Sequence, residues 1–370
     1  MQATSNSYLH RLALLPLTGV FLTMTSLSAQ QAERYSIPED ELAIYNLAGE
    51  VRMEPGPSGD ITVTVARGGA DGAKIKVMRS KRDGMETLRF VYPEGRILYA
   101  GLSDGSSTQI RVRDDGTFGH DDHNDDGESR KQEGKQVTIA GSGGGTAAHA
   151  DLRVGVPMGR TVALHLAAGK VSVTNVHGNL SIDVASAPIT TSTTRGELDI
   201  NVGSGAVQVT NARGELSVDT GSGEVKVSDV RGESISIETG SGGVSASNLR
   251  SNDLSINTGS GNIDVTSLTS PQVSLETGSG SVVADLAGEI WNVNVETGSG
   301  DITLKVPPTL AAEVDIETSS GDIETDFEVA VTRHARDHMT GRIGEGGGKI
   351  DIETGSGGIR LVKNTAAGGR

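Results

Sequence analysis

The motif "TGSG", or a close variant of it, returns along the chain at nearly constant spacing. The turns start at Gly203, Gly221, Gly240, Gly259, Gly278, Gly298, Ser319 and Gly355, and degenerate copies at Ala167 and Ala185 extend the series backward. Successive intervals run from 18 to 21 residues until a last one of 36. A fixed period of this size is the signature of a repeat architecture. Within each period the pattern alternates: Leu216, Val218 and Thr220 are interleaved with Ser217 and Asp219, and Val225 and Val227 flank Lys226. Such alternation describes short strands with one buried face. Helix signals are missing from the region.

Short strands repeating every 19 residues or so stack most simply as a parallel β-solenoid. The expected fold is all-β, with about ten coils of 18–21 residues and a less regular β cap at the N-terminus. Coils about 4.8 Å apart would make a rod of roughly 48 Å. Aromatics make up only 3% of the chain while glycine reaches 51 residues. A thin interior of Val, Ile and Leu accounts for that bias, since a broad core uses aromatic rings to fill its volume. The repeated turn then reads as a solenoid corner rather than a phosphate loop. The strict nucleotide motifs G-x-x-x-x-G-K-[ST] and G-x-G-x-x-G are absent.

The flanking regions complete the expected organisation. Residues 1–29 have the form of an export signal: a polar start closed by His10 and Arg11, an apolar stretch "LALLPLTGVFL" and small residues before Gln30. The stretch is too short to span a bilayer. Residues 33–112 form an N-terminal β region or cap, 113–136 an acidic polar loop, and 137–370 the repeat array with an insertion at 327–348. Leu42 to Gly56, "LAIYNLAGEVRMEPG", itself reads like one coil. With no cysteine there is no disulfide and no lipid-bearing thiol. The expected location is the periplasm, the cell surface or the medium, with no transmembrane segment in the mature chain. A formal charge of −16 argues against nucleic acid as a partner.

These residues resemble a known family. "IYNLAGEVRM", then "LRVGVPMGRTVALHLAAGKVSVTNVHGNLSIDV", then serial "ETGSGDI" units are similar to the bacterial putative-adhesin family, a domain of unknown function built of β-strand repeats. The resemblance covers about Leu42 to Val362. It implies an exported β-solenoid and supplies no catalytic residues.

Four constellations invite a chemical reading. "DHNDDGESRKQE" fits the calcium-loop pattern D-x-[DN]-x-[DN]-G-x5-E, so Asp122, Asn124, Asp126, Glu128 and Glu133 are candidate calcium ligands. Against it, Ser129 replaces an aliphatic, Arg130 places a cation among the ligands, and neither flank reads as helix. In "HARDH", His334 and His338 share a face at helical spacing and would suit zinc, but strand alternation leads into them. Asp183, Asn201, Asp219, Glu238, Asn257, Glu276, Glu296, Glu317 and Glu353 hold one position of the repeat. Unit charges stacked about 4.8 Å apart in water repel by roughly 0.9 kcal/mol before screening, and the two asparagines relieve the column. Beside it runs a Thr column, Thr220, Thr239, Thr258, Thr277 and Thr297, an ice-ordering surface if exposed; parity points it inward.

Catalysis has little support, because G-x-S-x-G is absent and from Val137 onward only Trp291 and Phe327 are aromatic. The sequence points to a non-enzymatic adhesin or structural envelope protein whose partner is an envelope or extracellular protein or glycan. The alternatives are a carbohydrate-active solenoid enzyme and a calcium-dependent envelope sensor.

Overall fold

The computed structural model describes residues 32–364 apart from 83, 94 and 120–133. Along the repeat each coil contributes two strands. Leu216–Ser222 and Val225–Ser228 form one coil, and Ser234–Ser241 and Val244–Arg250 form the next. First strands pair in parallel with first strands, Leu216 beside Ile235 and Val218 beside Ile237; second strands do the same, Val225 beside Val244. Leu216, Val218 and Thr220 are buried while Ser217 and Asp219 are exposed. The protein is therefore the β-solenoid that the alternation implies. Aromatic side chains in the described core are Phe90, Tyr92, Tyr99, Phe118 and Phe327, none of them inside the regular run of coils.

The repeated corner has a specific internal chemistry. Its threonine is buried, and from Thr258 onward it donates its hydroxyl hydrogen to a glycine carbonyl of the neighbouring coil. Thr258 Oγ1 lies 3.1 Å from the Gly242 oxygen, Thr277 Oγ1 3.0 Å from Gly261 and Thr297 Oγ1 2.9 Å from Gly280. The glycines are dictated by coil-to-coil contact. A Cβ on Gly259 would stand 2.5 Å from the Gly240 carbonyl oxygen, and one on Gly261, at φ +148°, 2.2 Å from that of Gly242. Neither distance accommodates a carbon. The opposite corner uses another device: Asn175, Thr193, Asn211, Asp229, Asn248 and Ser267 all adopt φ between 53° and 58°. Asn and Asp tolerate this left-handed region because their short polar side chains bond locally.

The two ends depart from simple succession. Glu41–Pro55 pairs along its length with Thr161–Thr174, Leu42 beside Val162 and Val51 beside Val171, so the first coil lies far from the second in sequence. The chain between them packs on the outer side of that first coil. Met85–Val91 runs parallel to its first half and His149–Val156 to its second. Asn46 is fully buried there; its Nδ2 donates to the Ala150 oxygen at 2.8 Å, and the Tyr92 hydroxyl donates to its Oδ1 at 2.7 Å.

At the far end, order in the stack differs from order in the sequence. Asn292–Thr297 pairs not with Ala312–Thr318 but with Gly348–Thr354, and Gly348–Thr354 in turn pairs with Ala312–Thr318. Threonine bonds follow the same order, Thr354 to Gly300 and Thr318 to Gly357, each at 3.0 Å. Between these strands the chain makes a hairpin, Val329–His334 and His338–Ile343, laid antiparallel on the outer edge of Ala312–Thr318. The last coil in sequence is thus threaded into the penultimate place.

Within the threonine column Thr239 Oγ1 is buried without a partner, whereas Thr277 Oγ1 is bonded. Val184 and Val202 hold the same column in earlier coils. Thr277→Val is therefore expected to cost about 1 kcal/mol, and Thr239→Val to be neutral or stabilising by about 1 kcal/mol. Chemical denaturation of the two variants checks this; equal losses would contradict the role given to the hydroxyl.

Candidate functional site

The solenoid turns each repeated outward residue into a column along the rod. In register, Tyr45, His165, Asp183, Asn201, Asp219, Glu238, Asn257, Glu276, Glu296, Glu353 and Glu317 follow one another. The acidic column read from the sequence is real, with Glu353 moved ahead of Glu317 by the threading. Its N-terminal end is capped by rings. His165 stacks on Tyr45 with centroids 4.2 Å apart, its Nδ1 stands 3.2 Å from Asp183 Oδ2, and Phe118 meets Tyr45 edge-on at 5.7 Å. Burial pushes the Tyr45 phenol above its ordinary value.

The neighbouring outward position carries Ser181, Asp199 and Ser217 in adjacent coils. Burial raises the carboxyl of Asp199; hydroxyl bonds from Ser217 and Ser181 oppose the shift, and the charges of Asp183 and Asp219 add to it. A carboxyl raised in the fold favours folding below its unfolded value, near 3.8, and that contribution is lost as pH rises through the folded value. Asp199→Asn should therefore raise the melting temperature at pH 7, and the gain should shrink on acidification below about pH 4. Melting curves across that window provide the check; a variant less stable at neutral pH would contradict it.

The remaining sequence candidates fare differently. Asp122, Asn124, Asp126, Glu128 and Glu133 lie outside the described residues. Their segment joins Ser107–Val112 to Lys135–Ala140, two antiparallel strands with Val112 opposite Lys135. His338 packs against the terminal coil: its Nε2 is 2.9 Å from Asp315 Oδ1, and Arg333 approaches its Nδ1 at 3.4 Å. The hairpin register sets His334 beside Met339, not beside His338. Among the described residues no group of three or more His, Cys, Asp or Glu is placed to hold a metal. The threonine column faces the interior, so it presents no hydroxyl surface to solvent.

One column escaped the sequence reading. Arg195, Arg213, Arg231 and Arg250 are exposed and stand in register in consecutive coils, Arg195 beside Arg213, Arg213 beside Arg231 and Arg231 beside Arg250. Backbone bonds fix them, Gly196 N to Arg213 O at 2.9 Å and Gly214 N to Arg231 O at 3.0 Å. The signal is present as "TRGE", "ARGE", "VRGE" and "LRSN" at the solenoid period. It lies at the corner opposite the glycine-rich turn.

Residues 188–362 match the family model described as Toastrack DUF4097. That stretch, a little under half of the chain, is similar to the family. It holds most of the regular coils, the threaded last coil and all four stacked arginines. The chain is also similar to two crystal structures. One is a putative cell adhesion protein from Clostridium sporogenes, at 9% identity over 90% of this chain and 100% of that one, with a TM-score of 0.21. The other is a putative adhesin from Bacteroides fragilis, at 13% identity over 90% and 95%, with a TM-score of 0.34. No curated protein matches the chain.

Proposed function

We propose that the protein is an exported, non-enzymatic β-solenoid that serves as an adhesin or structural protein of the cell envelope, binding its partner along the flanks of the rod. The observation that carries this reading is the arrangement of outward side chains. In coil after coil they stand in parallel columns, as Asp219, Glu238 and Asn257 do, instead of converging around a cleft. A surface of that kind suits an extended partner gripped at many equivalent points, as the long faces of other repeat architectures do. The apolar stretch before Gln30 supports export of the chain. No helix among the described residues is long and apolar enough to cross a membrane. The acidic segment around Asp122 to Glu133 would add a calcium site to the envelope protein if its carboxylates hold the ion.

Fractionation and labelling test the proposal together. The mature chain is expected in the periplasm or medium, beginning between Ala29 and Glu33, and the fluorescently labelled mature protein should bind envelope preparations saturably. An intact Met1 on protein confined to the cytosol, or binding that never saturates, contradicts it. Cleavage of an acidic polysaccharide by the purified protein would replace it with the carbohydrate-active reading.

A further inference from the structure

The arginine column is the one run of like-charged basic side chains among the described residues that stands in register over four coils. Several other surface arginines are matched within the chain: Arg52 with Glu50 at 3.0 Å, Arg67 with Glu33 at 2.8 Å, Arg153 with Glu54 at 2.7 Å and Arg360 with Glu324 at 3.0 Å. Arg195, Arg213, Arg231 and Arg250 make no ion pair or side-chain hydrogen bond among the described residues. The acidic column is interrupted by Asn201 and Asn257, yet the arginine column is unbroken over its four coils. Like charges stacked about 4.8 Å apart repel one another. In a chain of net charge −16, such an uninterrupted and unpaired cationic line is open to a match from outside.

Two further features define what would match it. Asn211, Arg213, Asp229, Arg231 and Asn248 line an open surface groove at this corner, so the two central arginines of the column border a shallow depression. Trp291, the single tryptophan, is 61% exposed. It precedes Asn292, which is in register with Gln272, itself in register with Asp253. Trp291 therefore stands at the same corner of the rod, two coils beyond the coil that Asp253 opens just after Arg250.

We propose that Arg195, Arg213, Arg231 and Arg250 form the contact line for an acidic polysaccharide lying along the rod, its carboxylates engaged coil by coil and a sugar ring resting on Trp291. This rests on the envelope-binding reading and names the partner's chemistry. Guanidinium forks match carboxylates in two-point geometry, and an indole offers an apolar plate with a polar edge. The line is narrow, because Glu197, Glu215 and Glu233 run beside it two residues further along each coil and Asp229 stands in the groove. A thin chain fits between these carboxylates, whereas a duplex presents charge across a broad front and is repelled. Single strands of nucleic acid bind over successive aromatic platforms, and this corner has one.

The test uses the full mature chain and polygalacturonate as probe, with neutral dextran and a deoxythymidylate homopolymer as comparisons. Polygalacturonate is expected to bind and to shift the emission of Trp291, while dextran does neither. Affinity should fall as salt rises, and should drop about tenfold or more in R213Q/R231Q, which removes two of the charge-assisted contacts. Asp229→Asn, which takes a repelling carboxylate out of the groove, should strengthen binding. Circular dichroism melting of each variant confirms that these exposed replacements leave the fold intact. Absence of binding, an affinity that ignores the arginine replacements, an unmoved Trp291 emission, or a nucleic acid homopolymer bound as tightly as the polysaccharide each overturns the proposal. Saturable envelope binding that persists in R213Q/R231Q would leave the adhesive reading standing on another face.

Discussion

Close approach of backbone to backbone at the glycine corners governs the architecture. Coils pair in parallel register along both strands, and at each corner the chain passes so near its neighbour that a side chain would meet a carbonyl oxygen, at 2.5 Å for Gly259 and 2.2 Å for Gly261. Glycine is required there by the neighbouring coil, not by the turn alone. The same closeness brings the buried hydroxyls of Thr258, Thr277 and Thr297 within reach of a glycine carbonyl one coil away. Register between coils is thereby specified twice, by aliphatic stacking inside and by hydrogen bonds at the corner. A slip of one residue would turn Ile237 and Ile256 outward and bury polar neighbours such as Glu238 and Asn257 in their place.

From that constraint the surface follows. When every coil repeats the one below, an outward residue at one position becomes a line of residues along the rod. Charge and hydrogen-bonding capacity are then distributed along the length, with acidic residues on the flank of Asp219 and Glu238 and arginines at the corner of Arg213 and Arg231. Recognition by such a body is a matter of matching periods. Positive charge is thereby concentrated on one line of an acidic protein, with Glu197, Glu215 and Glu233 two residues beyond it.

Much of this was legible in the sequence, and the exceptions have physical causes. Alternation in "SVDTGSGEVKV" determines which side chains are buried, and the inward threonine and outward acid follow from the same parity. The order of the final coils does not follow. "VDIETSSGDI" and "IDIETGSGGI" carry nearly the same pattern, so either could stack on the coil of Val293 and Val295. The hairpin decides: His338–Ile343 occupies one edge of Ala312–Thr318, and Gly348–Thr354 is inserted at the other. That is a long-range pairing, invisible to local periodicity. The arginine column was legible but overshadowed, since aligning the chain on its glycine corner draws attention away from the corner opposite. The calcium-loop pattern of Asp122 to Glu133 is a matter of local spacing alone, and its residues lie outside the described ones, which only bracket them.

The coil order can be read directly by crosslinking, in a protein with no cysteine of its own. Glu296 and Glu353 are exposed, outward and side by side in adjacent coils, while Glu317 lies one coil further on. Neighbouring coils hold Cα atoms about 4.8 Å apart, within disulfide reach, and next-nearest coils about 9.6 Å apart, beyond it. Under mild oxidation E296C/E353C should form an intramolecular disulfide in the folded protein, and E296C/E317C should remain reduced. A crosslink formed by E296C/E317C and refused by E296C/E353C would contradict the threaded solenoid.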